Sequence, residues 1–375
     1  MNTIAFIGMD VHTTSYTLCV YDEALQDATH VVKTEADPLN IIKYINNLRY
    51  RYFTPDTEFI CGYEAGCLGY SLHRFLESRG QRCVILAPST MHKEQSRSFK
   101  NDRRDAKLIA CCLAHGTYKP VYVPDEKDDA VKEYIRMRTD HKEALKKIKQ
   151  QILALATRLG HQYGGGNYWT QAHLRWLRSL QLGGVYQETL MEYLATYDRL
   201  AESIERFDAR IEELAEDERY KENVRKLGCF KGVRTHTALS FLAEVGDFRR
   251  FAKAGQFAAF LGLVPGQHES NGHGKPCGIT KTGNVHLRTL LIEAAQGYSH
   301  GSPGSKGKVL KARQAGNPPD VIEYADRANE RLRRRYGRLT LLNRKKGNVA
   351  KAAVARELAC FIWGMMTGNL ESRIS

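Results

Sequence analysis

The chain has 375 residues and a net charge of +14, from 56 Lys and Arg against 42 Asp and Glu. That length is enough for two or three units that each bury a core, so small-protein staples are unnecessary. The nine cysteines contain no CxxC pair and read as reduced thiols of a cytosolic protein. The amino terminus lacks a basic segment followed by a long apolar one. The most apolar late run, Leu358 to Met366, is nine residues against about 20 for a span, so no membrane is expected.

Charge is unevenly placed along the sequence. Residues 1 to 227 hold 32 basic and 32 acidic side chains, whereas residues 228 to 375 hold 24 and 10. A localised positive excess is the footprint of a polyanion partner, most simply nucleic acid. Its densest stretch is Arg331 to Arg338, which makes Arg333, Arg334 and Arg335 candidate nucleic-acid contacts; the bland alternative is a solvated basic surface.

In chain order, Ile4 to His12 (IAFIGMDVH) reads as a strand buried on both faces that carries Asp10 to its tip. Acids are rarely buried unless paired or bound to a metal, so Asp10 calls for partners; taken alone, a simple turn explains it equally well. Tyr16 to Tyr21 and His30 to Lys33 predict two more strands. Pro38 then opens an amphipathic helix with Ile41, Ile42, Ile45 and Leu48 on one face. Glu58 to Tyr63 predicts a further strand that runs into a second acid, Glu64. A helix over Tyr70 to Ser78 and a strand over Cys83 to Ala87 follow. Asn101 to Ala114 reads as a helix starting at Asn101 or Asp102. Asp102 and Asp105 then share one face, about 5 to 6 Å apart at Cβ. An N-cap and a first-turn acid would explain that pair, but not four acids.

From Asp125 to about Gly160, and again from Leu190 to Leu214, apolar residues three and four apart predict two long antiparallel helices. These form a coiled-coil arm that could support dimerisation. The second is acidic, with 12 acids to 7 bases from Gln187 to Leu227, and is not expected to lie on DNA. Cys229 to Asp247 reads as helix, turn, helix, broken at Gly232 and capped by Thr235. Pro265 to Asn284 reads as a glycine-rich basic loop with Ser270 among His268, His273, Lys275 and Lys281, a composition suited to an anion. A loop serine is far more often a turn residue than a nucleophile. The helix that follows should turn Arg288 toward that loop. Basic helices from Pro319 and from Asn348 close the chain.

Asp10, Glu64, Asp102 and Asp105 thus come from two strand ends and one helix, a distribution that can converge at the edge of a mixed sheet. Hard oxygen ligands of this kind hold Mg²⁺ or Mn²⁺ and can serve phosphodiester chemistry. The strand and helix order is that of an RNase H-like fold.

The chain resembles the DEDD transposases of bacterial insertion sequences, the family that includes Piv-type invertases and bridge-RNA-guided recombinases. The resemblance covers nearly the full length. It rests on GMDVH with Asp10, YEAG with Glu64, NDRRDAKLIA with Asp102 and Asp105, AEVGDFRRF from Ala243, FLGLVPGQHESNG with Ser270, and GITKTGNVHLRTLLIEAA from Gly278. It implies a RuvC-like DEDD domain over residues 1–124, a coiled-coil helical arm over 125–226, and a mainly helical transposase domain over 227–375. It further implies that Ser270 attacks DNA to form a phosphoserine link, that a non-coding bridge RNA pairs with target and donor DNA, and that the protein works as a homo-oligomer, a dimer or tetramer. The chain departs from the family's Ser-Ser-Gly or Ser-Gly with Glu269, Ser270, Asn271 and Gly272. Two other readings compete. One is a metal-only RNase H-like nuclease or junction resolvase without a covalent intermediate. The other is a nucleic-acid-binding protein with a decayed site.

Overall fold

The computed structural model describes residues 4–23, 25–66, 68–91, 101–270 and 273–370; the side chains of residues 89, 267–270 and 273–277 also lie outside the description. Two compact units result, Met1–Val123 and Pro124–Ser375. Among the described residues no helix is long and apolar enough to cross a membrane.

In the first unit, β1 (Ile4–Val11), β2 (Ser15–Asp22), β3 (Asp27–Glu35), β4 (Glu58–Glu64) and β5 (Cys83–Leu86) form one sheet in the order β3-β2-β1-β4-β5. The first three strands are an antiparallel meander, whereas β4 and β5 join in parallel. Parallel pairing needs a crossover, and the helices supply it. α1 (Pro38–Arg51), whose first turn Asp37 caps through Leu39 N, leads from β3 to β4, and α2 (Ser71–Ser78) leads from β4 to β5. Ile41, Ile45, Leu48, Leu72 and Leu76 cover one sheet face, against Ile7, Met9, Phe59, Cys61 and Ile85.

α3 (Asp102–His115) covers the other face. It begins where Asn101 accepts a hydrogen bond from Arg103 N at 3.0 Å and ends at Gly116, whose φ is +63°. Ala106 and Ala110 pack on Cys19 and Tyr21, while Ile109 and Leu113 pack on Leu86. The approach is closest over the two central strands. A Cβ added at Gly8 would stand 2.1 Å from the Ala106 carbonyl oxygen and 2.4 Å from Ala110 N. At Gly62 it would stand 2.8 Å from Leu113 and Leu86 methyls. The result is a mixed sheet flanked by helices, a topology compatible with the RNase H-like expectation.

The second unit is mainly helical. α4 (Glu126–Arg158) has 33 residues, and α6 (Gly184–Ala215), which follows α5 (Gln171–Ser179), has 32. Ile152, Leu155, Leu174, Leu177, Leu190, Leu194 and Tyr197 make one cluster where these three meet. Val131, Ile135, Ile211 and Ala215 belong to a larger core. It is shared with α7 (Lys221–Leu227), α8 (Thr235–Val245), α9 (Ala254–Phe260), α10 (Val285–Ala295), α12 (Pro319–Gly337) and α13 (Gly347–Met366); α11 (Lys308–Gln314) adjoins it.

Two local expectations are corrected. Thr235 is the first residue of α8 rather than its cap, and the cap position, Arg234, makes no side-chain cap bond. Residues Pro265 to Asn284 are not a loop throughout. β6 (Pro265–Ser270) and β7 (His273–Ile279) pair as an antiparallel hairpin, with Ser270 opposite His273. Glycine and polar residues hid the strands, because strand pairing needs only backbone donors and acceptors.

Gly8→Ala should force α3 off the sheet, since backbone rather than a flexible side chain occupies the space. A loss of about 2 to 3 kcal/mol is expected in urea unfolding of the full chain, and an unchanged midpoint would show that α3 relaxes without cost.

Candidate metal centre

The register of β1 and β4 brings the first two acids together. Gly8 pairs with Gly62 and Met9 with Tyr63. One step further along, Asp10 and Glu64 are neighbours at the same end of the sheet, on the face to which Gly8 and Gly62 belong, because side chains alternate with period two. That is the face α3 covers, and α3 starts with Asp102 and Asp105. The glycines that admit the helix therefore also set the height at which its first-turn acids arrive.

Oxygen and nitrogen atoms of Asp10, His12 and Asp102 all lie within 4.8 Å of one another. His12 Nε2 is 3.1 Å from Asp10 Oδ2 and 4.0 Å from Asp102 Oδ1. Lys33, reaching over from β3, donates to Asp102 Oδ2 at 2.7 Å. Among the described residues, Glu64 and Asp105 carry no side-chain hydrogen bond or ion pair, and both are half-buried. Burial pushes the Asp10 carboxyl up, and the charges of Asp105 and Asp102 push the same way, while His12 opposes them. The hydrogen bond from Lys33 holds the Asp102 carboxyl below its ordinary value. A carboxyl pushed up by burial and by neighbouring acids is short of positive charge. A hard divalent cation would supply it, and an oxygen-rich donor set with one imidazole suits such an ion.

His12 and Lys33 were not among the expected site residues. His12 stands in GMDVH, two residues beyond Asp10, but nothing local in the sequence places it beside Asp102. Lys33 had no local signal, because its partner is 69 residues away.

The other predicted residues fall in the second unit. The side chains of Ser270 and Lys275 lie outside the described residues. Lys281 is exposed in the turn after β7, at φ +58°. Arg288 does face the former loop, yet it is only 8% exposed, and its Nη1 donates to Leu261 O at 3.0 Å and Thr282 O at 2.8 Å. It ties the polypeptide together there rather than presenting a cation. Arg333 donates to Gly301 O at 2.5 Å, Arg334 to Glu330 at 2.5 Å, and Arg335 Nε lies 3.0 Å from Glu357 Oε2.

A polar network centred on one buried carboxylate joins two of the sequence motifs. Glu244, its side chain 5% exposed, holds Arg136 through two hydrogen bonds of 2.8 and 3.0 Å. It also accepts from Asn284 Nδ2 at 2.9 Å, while Asn284 Oδ1 caps α10 through Leu287 N. Near it, burial pushes His236 down to about 4; Arg138, His286 and Lys142 act in the same direction, and Asp208 opposes them.

Comparison with known proteins decides the family. The DEDD transposase model of the IS110 type matches residues 7–160, and the model described as "Transposase IS116/IS110/IS902 family" matches residues 224–308. The protein named as transposase y4qE in Sinorhizobium fredii is 33% identical over 362 residues, covering 96% of this chain and 88% of that protein. The chain belongs to the IS110-family DEDD transposases. Two further relatives are named as transposases of insertion sequence elements. That of IS1533 from Leptospira borgpetersenii is 29% identical over 90% of this chain and 97% of its own length. That of IS1111A from Coxiella burnetii is 25% identical over 98% and 91%.

The transposase is therefore an enzyme that acts on DNA. The match to the DEDD model across residues 7–160, with the Asp10, His12 and Asp102 cluster inside it, supports a metal-dependent, nuclease-type mechanism. This corrects the expectation that strands are cut and rejoined through a covalent bond to Ser270. The metal-only alternative is the better fit.

Two measurements follow for the transposase. Lys33 competes with a cation for Asp102, so Lys33→Ala should lower the Mg²⁺ concentration that half-saturates the metal-induced rise in Tm. The expected change is roughly two- to fivefold, the scale of an exposed ion pair, and an unchanged titration would separate Lys33 from the site. His236 stays neutral in the folded protein until about pH 4, whereas the unfolded chain takes up its proton near pH 6.5. Stability should therefore fall as pH drops through that window. His236 accounts for about 2 kcal/mol of the loss between pH 7 and 5, and His236→Gln should remove that part of the slope in urea unfolding.

Proposed function

We propose that the transposase cleaves DNA phosphodiester bonds with water as the nucleophile, at a site where Asp10, Glu64, Asp102 and Asp105 hold Mg²⁺ or Mn²⁺. The observation that carries this reading is the convergence of Asp10 and Asp102 with His12 within 4.8 Å, at the sheet edge where Glu64 and Asp105 also arrive. Such ions, when bound by these carboxylates, would supply activation of the attacking oxygen and stabilisation of the leaving one. The protein's own part is orientation. β1 and β4 fix two carboxylates in register, α3 fixes the other two, and His12 holds Asp10 through its hydrogen bond. Lys33 neutralises Asp102 and keeps its carboxylate ionised.

The three-part division at residues 124 and 226 belongs to the same proposal, supported at its first boundary by the separation of compact units after Val123. A guide RNA and a homo-oligomer are what the family resemblance adds. The basic excess of residues 228 to 375 supports a nucleic-acid partner of either kind.

Asp10→Asn and Asp102→Asn should each lower Mg²⁺-dependent nicking of supercoiled DNA at least ~100-fold, since a metal contributes several kcal/mol to such a transition state. Ser270→Ala should cut within a few fold of wild type, with no protein-DNA adduct on denaturing gels. An adduct that forms in wild type and disappears in Ser270→Ala would sink the water mechanism.

A further inference from the structure

Between Arg331 and Arg356 the chain carries ten Lys and Arg and no acid. Four of those ten are already engaged. Arg331 and Arg335 share Glu357, Arg334 pairs with Glu330, and Arg333 holds the Gly301 carbonyl. Among the described residues, Arg338, Arg344, Lys345, Lys346 and Lys351 make no side-chain hydrogen bond or ion pair. All but Lys351 are exposed, and Lys351 is half-exposed. The cations available to a ligand are therefore displaced from the Arg333 to Arg335 run toward the link between α12 and α13.

That link has a second property. Arg338–Leu342 is a single π-helical turn, and it presents Leu341 at 79% and Leu342 at 75% exposure, with Val349 at 54% beyond the basic residues. Two adjacent leucines so exposed lie far from the usual burial of that residue. A wider turn inserted at a helix end is a distortion that sequences retain mostly where it serves a site.

We propose that this turn is a wedge for duplex DNA, in which Leu341 and Leu342 enter a base step from the minor groove while Arg338, Arg344, Lys345 and Lys346 grip the flanking phosphates. The inference rests on the DNA-directed reading above and adds a second contact surface to it. Apolar side chains framed by cations are the chemistry with which proteins unstack and kink a duplex. A second copy of the chain is the other possible occupant. Charge argues against it: a two-fold contact would set this acid-free patch against itself, and like charges across an interface are repelled.

The test uses the full-length chain carrying Asp10→Asn to prevent cutting, and a 30-base-pair duplex with 2-aminopurine beside a central TA step. Wild-type surface should raise the fluorescence at saturation, reporting unstacking. Leu341→Ala with Leu342→Ala should abolish that rise and weaken binding about tenfold, without changing the salt dependence or Tm. Leu341→Met with Leu342→Met should restore the rise. Arg344→Gln, Lys345→Gln and Lys346→Gln together should reduce the slope of log K against log salt by about 2 to 3. Leucine-to-alanine variants that unstack the duplex like wild type would overturn the wedge. So would a loss of oligomer mass in those variants with DNA binding unchanged, which would give the patch to a second copy. Absence of Mg²⁺-dependent cutting by the unmutated chain would instead refute the proposed chemistry and leave the wedge measurement standing.

Discussion

The contact of α3 with the sheet over Gly8 and Gly62 is the constraint on which the first unit depends. A helix normally rests on a sheet through side chains from both partners, but here backbone and Ala110 occupy the space a side chain would need at Gly8. The closeness is possible because the facing helix residues are Ala106 and Ala110, both fully buried. It has an electrostatic consequence. The first turn of α3 is brought down to the end of β1, so the charges of Asp102 and Asp105 act on Asp10.

The geometry then sets up a conflict that a bound cation would resolve. Packing places Asp10 in a partly desolvated position, and the approach of α3 adds two more negative charges. Lys33 and His12 offset part of this, each from a different element. In a protein without a ligand to bind, such crowding would be a plain cost in stability. At a metal centre it holds the acids ready for the ion.

Charge in the second unit is handled differently. Its arginines are largely engaged with carboxylates and carbonyls of the same unit. Arg136 with Glu244, Arg331 with Glu357 and Arg288 with two backbone oxygens are structural ties. A count of positive charge along the sequence therefore overstates what a polyanion meets. What remains on the surface is concentrated where α12 ends, because the acids that could neutralise it are absent from that stretch of chain.

The strands and helices of the first unit were legible in the sequence because each is encoded locally. Apolar runs mark β1 and β4, spacing marks α1 and α3, and Asp37 and Asn101 mark helix starts. The four acids could be placed at element ends for the same reason. Lys33 and the burial of Arg288 could not be read, since each depends on partners brought close only by folding. The hairpin of β6 and β7 could not be read either, because its strands are made by backbone pairing and leave no hydrophobic period. The sequence by itself determined which residues stand at the ends of which elements. Only the tertiary structure decided which of those ends meet, because the distance between Asp10 and Asp102 is set by a helix resting on glycine, a contact between residues roughly a hundred positions apart.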